Sequence, residues 1–202
     1  MAAQSVLLID RGDLPSLVAA TLEPDPSRMV LWHRREADAG ATGRSSAAKD
    51  HAEAMGARRV ILTEPIVLGM HDMAPPSGLF QTGLLLQAAV IAQQVGCSKV
   101  VWPYHVGADA ERVGEAVDRA NLVATLAELG PSGPSLMIDL PLIDLADEKI
   151  VDLADDSGAP LWGFWPCDAD GSEPCGSCRG CQRWQRAFEN AKIAWPWEVA
   201  PA

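Results

Sequence analysis

Short apolar runs alternate along the chain with longer stretches of helical periodicity. Val6 to Ile9 is a continuous apolar run that ends at the polar turn Asp10-Arg11-Gly12-Asp13. A run this short, apolar at every position, predicts a strand covered on both faces. Leu14 to Leu22 then predicts a short helix, with Asp13 as its N-cap and Pro15 tolerated in the first turn. Glu23-Pro24-Asp25-Pro26 stops it, and Arg28 to His33 predicts a second strand. Residues 34–43 are charged and contain glycine, so they read as a loop. Ser45 to Met55 predicts a helix closed by Gly56 at the C′ position. Arg59 to Leu62 predicts a third strand, and Glu64 to Gly78, with three prolines and two glycines, a long loop.

Leu79 to Val95 has few polar positions and predicts a helix buried on nearly all faces, between layers or against a second subunit. Lys99 to Trp102 predicts a fourth strand and Asp109 to Leu129 a long amphipathic helix ended by Gly130 and Pro131. Leu136 to Leu140 predicts a fifth strand, Asp147 to Leu153 a helix, and Leu161 to Trp165 a short extended run. Alternating strands and helices predict an α/β fold: a doubly wound, mostly parallel five-stranded sheet with helices on both faces. In such sheets ligands bind outside the C-terminal ends of the strands, where the strand order reverses. Composition changes near residue 160: five of the seven tryptophans and four of the five cysteines lie beyond it. The expected division is an α/β domain over 1–160 and a metal-binding module over 161–202 packed on it.

The 202 residues are 48% hydrophobic and 21% charged, enough for a core that needs no disulfide staple. A net charge of -11 repels nucleic acid and anionic membranes at long range. General nucleic-acid binding is thereby excluded; a local basic pocket for one small anion is not. The early apolar run is too short for a signal sequence, and no stretch approaches the ~20 apolar residues of a membrane span. The expectation is a soluble, cytoplasmic protein without membrane contact.

The strongest chemical signal is the spacing C-x7-C-x2-C-x2-C formed by Cys167, Cys175, Cys178 and Cys181. Four thiolates within 15 residues suit a tetrahedral zinc site with no open position for substrate, hence a structural one. An iron–sulfur cluster remains open, although Gln185 breaks the ferredoxin C-x3-C-P continuation. So do two disulfides, in an oxidising compartment. Cys97 reads as a packed small hydrophobe.

The segment from Pro141 to Phe188 resembles the 7-cyano-7-deazaguanine synthase (QueC) family. The resemblance is carried by Pro141-Leu142-Ile143-Asp144-Leu145, by Glu148-Lys149-Ile150-Val151-Asp152-Leu153, and by Trp165-Pro166-Cys167. It continues through Cys175-Gly176-Ser177-Cys178-Arg179-Gly180-Cys181-Gln182-Arg183 to Ala187-Phe188. It implies an adenine-nucleotide α-hydrolase-like, nucleotide-binding-like domain, a structural zinc and a homo-oligomer such as a homodimer. It also implies an ATP- and magnesium-dependent carbon–nitrogen ligase of queuosine and 7-deazapurine biosynthesis. That chemistry converts 7-carboxy-7-deazaguanine and ammonia to 7-cyano-7-deazaguanine.

Three departures from the family pattern lie at the active-site end of the sheet. The family phosphate loop S-G-G-x-D-S is replaced by Arg11-Gly12-Asp13-Leu14-Pro15-Ser16, leaving Arg11, Gly12 and Ser16 as the cofactor-binding candidates. Asp13 adds negative charge where phosphate should sit, and Pro15 lacks an N–H. The family's P-G-R-N corresponds to Ala74-Pro75-Pro76-Ser77, and its substrate loop is missing or shortened near Tyr104 to Arg112. The alternative to an active ligase is therefore a zinc-stabilised, catalytically degenerate paralogue acting as a binding or scaffold subunit.

Other candidates have simpler competing readings. His105 stands at a strand end facing the crevice, and competes with a satisfied loop histidine. Arg11 offers a charge for phosphate, and competes with a solvated turn residue. The tryptophans at 162, 165, 184, 195 and 197 offer a stacking surface, and compete with packing around the metal module.

Overall fold

The computed structural model of the chain describes residues 5–64, 77–129 and 135–197. Its centre is a five-stranded sheet of β1 (Val6–Ile9), β2 (Met29–Arg34), β3 (Arg59–Thr63), β4 (Lys99–Val101) and β5 (Met137–Asp139). The spatial order is β3-β2-β1-β4-β5 and every neighbouring pair is parallel. The chain runs outward from β1 to β3 and then returns across β1 to β4. The order therefore reverses between β1 and β4, and a crevice opens there beyond their C-terminal ends.

Period-two alternation explains why β1 is apolar at every position. Val6 and Leu8 face a core built with α1 (Leu14–Thr21), α5 (Asp147–Asp156) and α6 (Arg179–Ala191). Leu7 and Ile9 face a second core under α3 (Ser77–Val95) and α4 (Ala110–Glu128). The C-terminal segment belongs to the first core: Phe164, Trp184 and Phe188 are buried with Leu17 and Ile150. Phe164 stacks on Phe188 and meets Trp195 and Trp197 edge to face. Most of the C-terminal tryptophans thus pack, as the simpler reading had it, and only Trp162 is largely exposed.

Three differences from the sequence reading have physical causes. First, α2 (Ala41–Met55) begins four residues before Ser45. Its N-cap, Gly40, has no side chain to bond the first N–H groups; Asp170 accepts from Thr42 N and Gly43 N instead. A cap more than 120 residues away carries no local signal. Second, Leu161 to Trp165 is not a strand: Gly163 N bonds back to the Pro160 carbonyl, and Trp165 N donates to the Gly12 carbonyl at 2.7 Å. Third, α6 starts inside the cysteine motif, whose ligand spacing masks the helical period of Cys181, Trp184, Ala187 and Phe188.

Within one chain α3 keeps one face exposed, the face that the sequence reading assigns to a second subunit. Leu85, Ala88 and Ala92 are fully buried, whereas Leu79, Leu86 and Val90 are 69%, 41% and 53% exposed. The expected loop between Glu64 and Gly78 falls mostly on residues 65–76, outside the described residues, and Ser77 and Gly78 already belong to α3. His71, Gly130 and Pro131 also lie outside them. Among the described residues no helix is long and apolar enough to cross a membrane.

Candidate functional site

A cleft of about 490 Å³ occupies the reversal of strand order. Its floor is Ile9 and Asp10 at the end of β1, with Arg34 at the end of β2 and Trp102 and Tyr104 just beyond β4. Phe80 of α3 and Arg183 of α6 close it from opposite sides. The Trp102 and Tyr104 rings stack at 4.7 Å and 8°, so one wall is flat and aromatic. The Arg34 guanidinium lies 4.6 Å above the Phe80 ring, and burial lowers its pKa.

The loop after β1 satisfies three of its backbone donors internally, while Asp13 N and Leu14 N have no acceptor among the described residues. Gly12 N donates to Asp10 Oδ1 at 2.7 Å. Arg11 N donates to Ser16 Oγ at 2.9 Å, and that hydroxyl donates to Asp13 Oδ1 at 2.6 Å. Ser16 N also donates to Asp13 Oδ1, at 3.1 Å, which makes Asp13 the N-cap of α1. Pro15 contributes no N–H. The three candidates Arg11, Gly12 and Ser16 are thus brought together, but each backbone N–H already has an internal acceptor. Gly12 has φ +69°, and a Cβ there would run into the backbone of Arg44.

Beneath the loop lies a charge pair that the sequence reading did not find. Asp10 is 1% exposed and His51 0%, and His51 Nδ1 lies 2.9 Å from Asp10 Oδ2. Burial pulls the His51 pKa down, but the charge and hydrogen bond of Asp10 outweigh it and the pKa is raised. His33 is the opposite case. Burial lowers its pKa, so Nδ1 donates to the Asp10 carbonyl and Nε2 accepts from Ser45 Oγ.

On the far rim Asp147 collects three donors. Arg183 Nε donates to Oδ2 at 2.7 Å and Nη2 to Oδ1 at 2.6 Å, a bidentate pair. His105 Nε2 lies 2.9 Å from the same Oδ1. Burial raises the Asp147 pKa, but Arg183 and His105 overcome this and hold the carboxyl well below the usual carboxylate range. His105 therefore does line the cleft, and it is at the same time a partnered loop histidine.

Cys167, Cys175, Cys178 and Cys181 converge, with all four Sγ atoms within 4.8 Å of one another. Backbone N–H groups point at the sulfurs: Ala169 N at Cys167, Cys178 N at Cys175, and Cys181 N at Cys178. Hydrogen bonds from Ser177 and Cys178 bring the Cys175 thiol down to about 6, whereas burial pushes Cys181 up. Such a donor set fits one metal ion. Cys97 lies apart, buried in the other core. The cysteine loop is tied to the cleft through α2: Asp170 caps it, Trp165 packs on Gly43, and Trp165 N holds the Gly12 carbonyl.

Asp10, Arg34, His51, Asp170 and Arg183 are not among the site candidates the sequence offers, and Asp147 reads there as part of a solvated acidic helix face. For Asp10 and Arg34 a signal exists, because each ends a strand of a parallel sheet and so must face the crevice. The others meet only through tertiary packing.

The family described as "Queuosine biosynthesis protein QueC" matches residues 82–192. That span includes the cysteine motif, His105, Asp147 and Arg183, and begins well after the loop at 10–16. The 7-cyano-7-deazaguanine synthase of Acidobacterium capsulatum is 39% identical over 71 residues, covering 35% of this chain and 31% of that protein. The 7-cyano-7-deazaguanine synthase of Methanosarcina mazei is 32% identical over 127 residues, covering 57% of this chain and 50% of that protein. The chain thus spans half or less of the length of these relatives. Among solved structures, the U34-tRNA thiolase NcsA from Methanococcus maripaludis with its 4Fe-4S cluster superposes with a TM-score of 0.53 at 16% identity. It covers 94% of this chain and 65% of that one. The shared fold is adenine-nucleotide α-hydrolase-like.

Proposed function

The chain belongs to the QueC family, and on that premise we propose that it serves queuosine and 7-deazapurine biosynthesis as a zinc-stabilised binding subunit that does not run the ATP-dependent step itself. The observation that carries this reading is the Asp13 carboxylate at the N-terminus of α1. A phosphate-binding loop offers free N–H groups at a helix N-terminus. Here those of Arg11, Gly12 and Ser16 are used internally, Pro15 has none, only Asp13 and Leu14 keep theirs, and the Asp13 carboxylate occupies the N-terminus of α1. The cleft keeps what a flat heterocycle needs: the Trp102–Tyr104 stack and the Phe80 face.

One observation favours the second reading, an active ligase forming 7-cyano-7-deazaguanine from 7-carboxy-7-deazaguanine and ammonia. Arg11, Arg34 and Arg183 all line the cleft and supply cationic charge. Calorimetric titration of ATP with magnesium separates the two. Binding no tighter than millimolar supports the binding subunit, and a micromolar Kd overturns it.

Zinc is our assignment for the metal. Tetrahedral Zn–S bonds of ~2.3 Å set neighbouring sulfurs ~3.8 Å apart. Cys167 Sγ and Cys178 Sγ are 3.8 Å apart. A four-iron cluster gives each thiolate a different iron and spreads the sulfurs further. The ion would be held by all four cysteines, with no position for substrate, and would supply structure rather than chemistry. The exposed Leu79, Leu86 and Val90 on α3 support a homodimer that covers them.

A further inference from the structure

A second groove, of about 420 Å³, adjoins the cleft and shares Arg183 with it. Its α6 side presents Arg179, Gln182, Arg183, Arg186 and Asn190. These positions follow the i, i+3, i+4, i+7, i+11 spacing of one helix face, so hydrogen-bond donors line the groove continuously. Arg179 and Arg186 lie ~10 Å apart along the axis. Among the described residues neither makes an ion pair or a side-chain hydrogen bond, and both are exposed. Arg183 spends Nε and Nη2 on Asp147 and keeps Nη1. Opposite stand Asp147, whose charge Arg183 already balances, and Glu148.

Three arginines share one face in a chain with only 16 Lys and Arg and a net charge of -11, and two of them, Arg179 and Arg186, make no ion pair among the described residues. This face sits beside a cleft whose usual phosphate position, the loop after β1, is filled by Asp13. Cleft and groove together are far roomier than a free bicyclic base requires. We propose that the ligand is a nucleoside monophosphate, its ring in the aromatic cleft and its phosphate in the α6 groove on Arg183, Arg186 and Arg179. The ring's placement rests on the binding reading above; the phosphate's placement rests on the groove. The net charge selects a mononucleotide over a polynucleotide, because a longer polyanion would leave these arginines and meet the acidic surface.

The test is isothermal titration of the full chain with guanosine, guanosine 5′-monophosphate, inorganic phosphate and a ten-nucleotide RNA. The monophosphate should bind at least tenfold tighter than guanosine. Arg186, five residues beyond Cys181, is the cleaner probe. Arg186→Ala should remove most of the preference, and Arg179→Ala with Arg186→Ala should bring the two ligands within twofold. Guanosine affinity and the melting temperature should barely move, since both side chains are exposed. Equal affinity of guanosine and its monophosphate in the unmodified protein overturns the proposal while leaving the binding reading intact. A preference that survives the double variant also overturns it. RNA binding tighter than the monophosphate, and lost in the double variant, overturns it in favour of a polynucleotide. If neither guanosine nor its monophosphate binds, both the inference and the heterocycle reading of the cleft fall, and the ATP titration still decides separately on the loop.

Discussion

Asp13 receives two hydrogen bonds from one residue, the N–H of Ser16 at 3.1 Å and its hydroxyl at 2.6 Å. The acid therefore holds the place an incoming phosphate would take at the start of α1. Two like unit charges 4 Å apart repel by ~4 kcal/mol at an effective dielectric of 20. Each 1.4 kcal/mol is about tenfold in affinity, so a micromolar ATP site becomes millimolar. Replacing Asp13 with Gly and Pro15 with Asp together should strengthen ATP binding at least tenfold by calorimetry. Unchanged weak binding in that variant would show that the loop is not what limits the site.

The metal carries a second prediction. Protein purified under reducing conditions should contain one zinc per chain and no visible chromophore. Structural zinc contributes about 10–16 kcal/mol in isolated modules, comparable with or above the 5–15 kcal/mol of a whole domain. Cys178→Ser should therefore lose the zinc and the cooperative melting transition. Because Asp170 and Trp165 tie the cysteine loop to α2 and Gly12, chelation should also alter proteolytic cleavage near residues 10–16. Iron with sulfide, or a variant with unchanged metal content and melting, would count against the assignment.

The buried pair Asp10–His51 predicts a pH dependence. The pKa of His51 is raised in the folded chain, chiefly because the Asp10 charge outweighs burial. A group raised on folding stabilises fully below its unfolded value, ~6.5 for histidine, and loses that contribution as pH rises through the folded value. Denaturant midpoints should fall as pH rises above ~6.5 in the unmodified protein. Asp10→Asn should flatten that fall, and in an NMR titration it should move the His51 ring signal to a lower pH. An identical slope in the variant would assign the effect to other groups.

Much of the framework was legible because its signals are local. Each buried strand is a short apolar run, Asp13 caps α1 by accepting from Ser16 three residues on, and the cysteine spacing lies within 15 residues. What was illegible depends on distance along the chain. Asp10 and His51 are 41 residues apart, His105 and Asp147 42, and Asp170 bonds an N–H 128 positions earlier. None of these pairs leaves a periodicity or a motif. For α3 the limit is different: apolarity around a helix does not say what covers it, and within one chain Leu79, Leu86 and Val90 stay exposed.

That face yields a fourth prediction. Leu86 and Val90, four residues apart, are 41% and 53% exposed and lie one turn apart on α3. Light scattering at micromolar concentration should show a dimer. Leu86→Asp with Val90→Asp should produce a monomer with zinc still bound. A monomeric unmodified protein would remove the homodimer reading.

The close fit between the cysteine loop and α2 can be tested at one glycine. A Cβ on Gly43 would overlap the indole of Trp165, whose Nε1 is fixed by a hydrogen bond to the Ala169 carbonyl at 3.2 Å. The ring cannot swing away without breaking that bond and loosening the turn that carries Asp170 to the N-terminus of α2. Gly43→Ala should therefore destabilise by about 1–3 kcal/mol in urea unfolding, the usual cost of overpacking. Helix propensity argues the other way, since alanine is favoured over glycine inside a helix by up to about 1 kcal/mol. The two effects separate in a Trp165→Leu background, where the clash is relieved and only the propensity remains. There Gly43→Ala should be neutral or stabilising, giving an interaction energy of about 1 kcal/mol or more between the two sites. Strict additivity of the two substitutions would mean that the indole and the glycine do not meet as described, and that the cysteine loop is held to α2 by Asp170 alone.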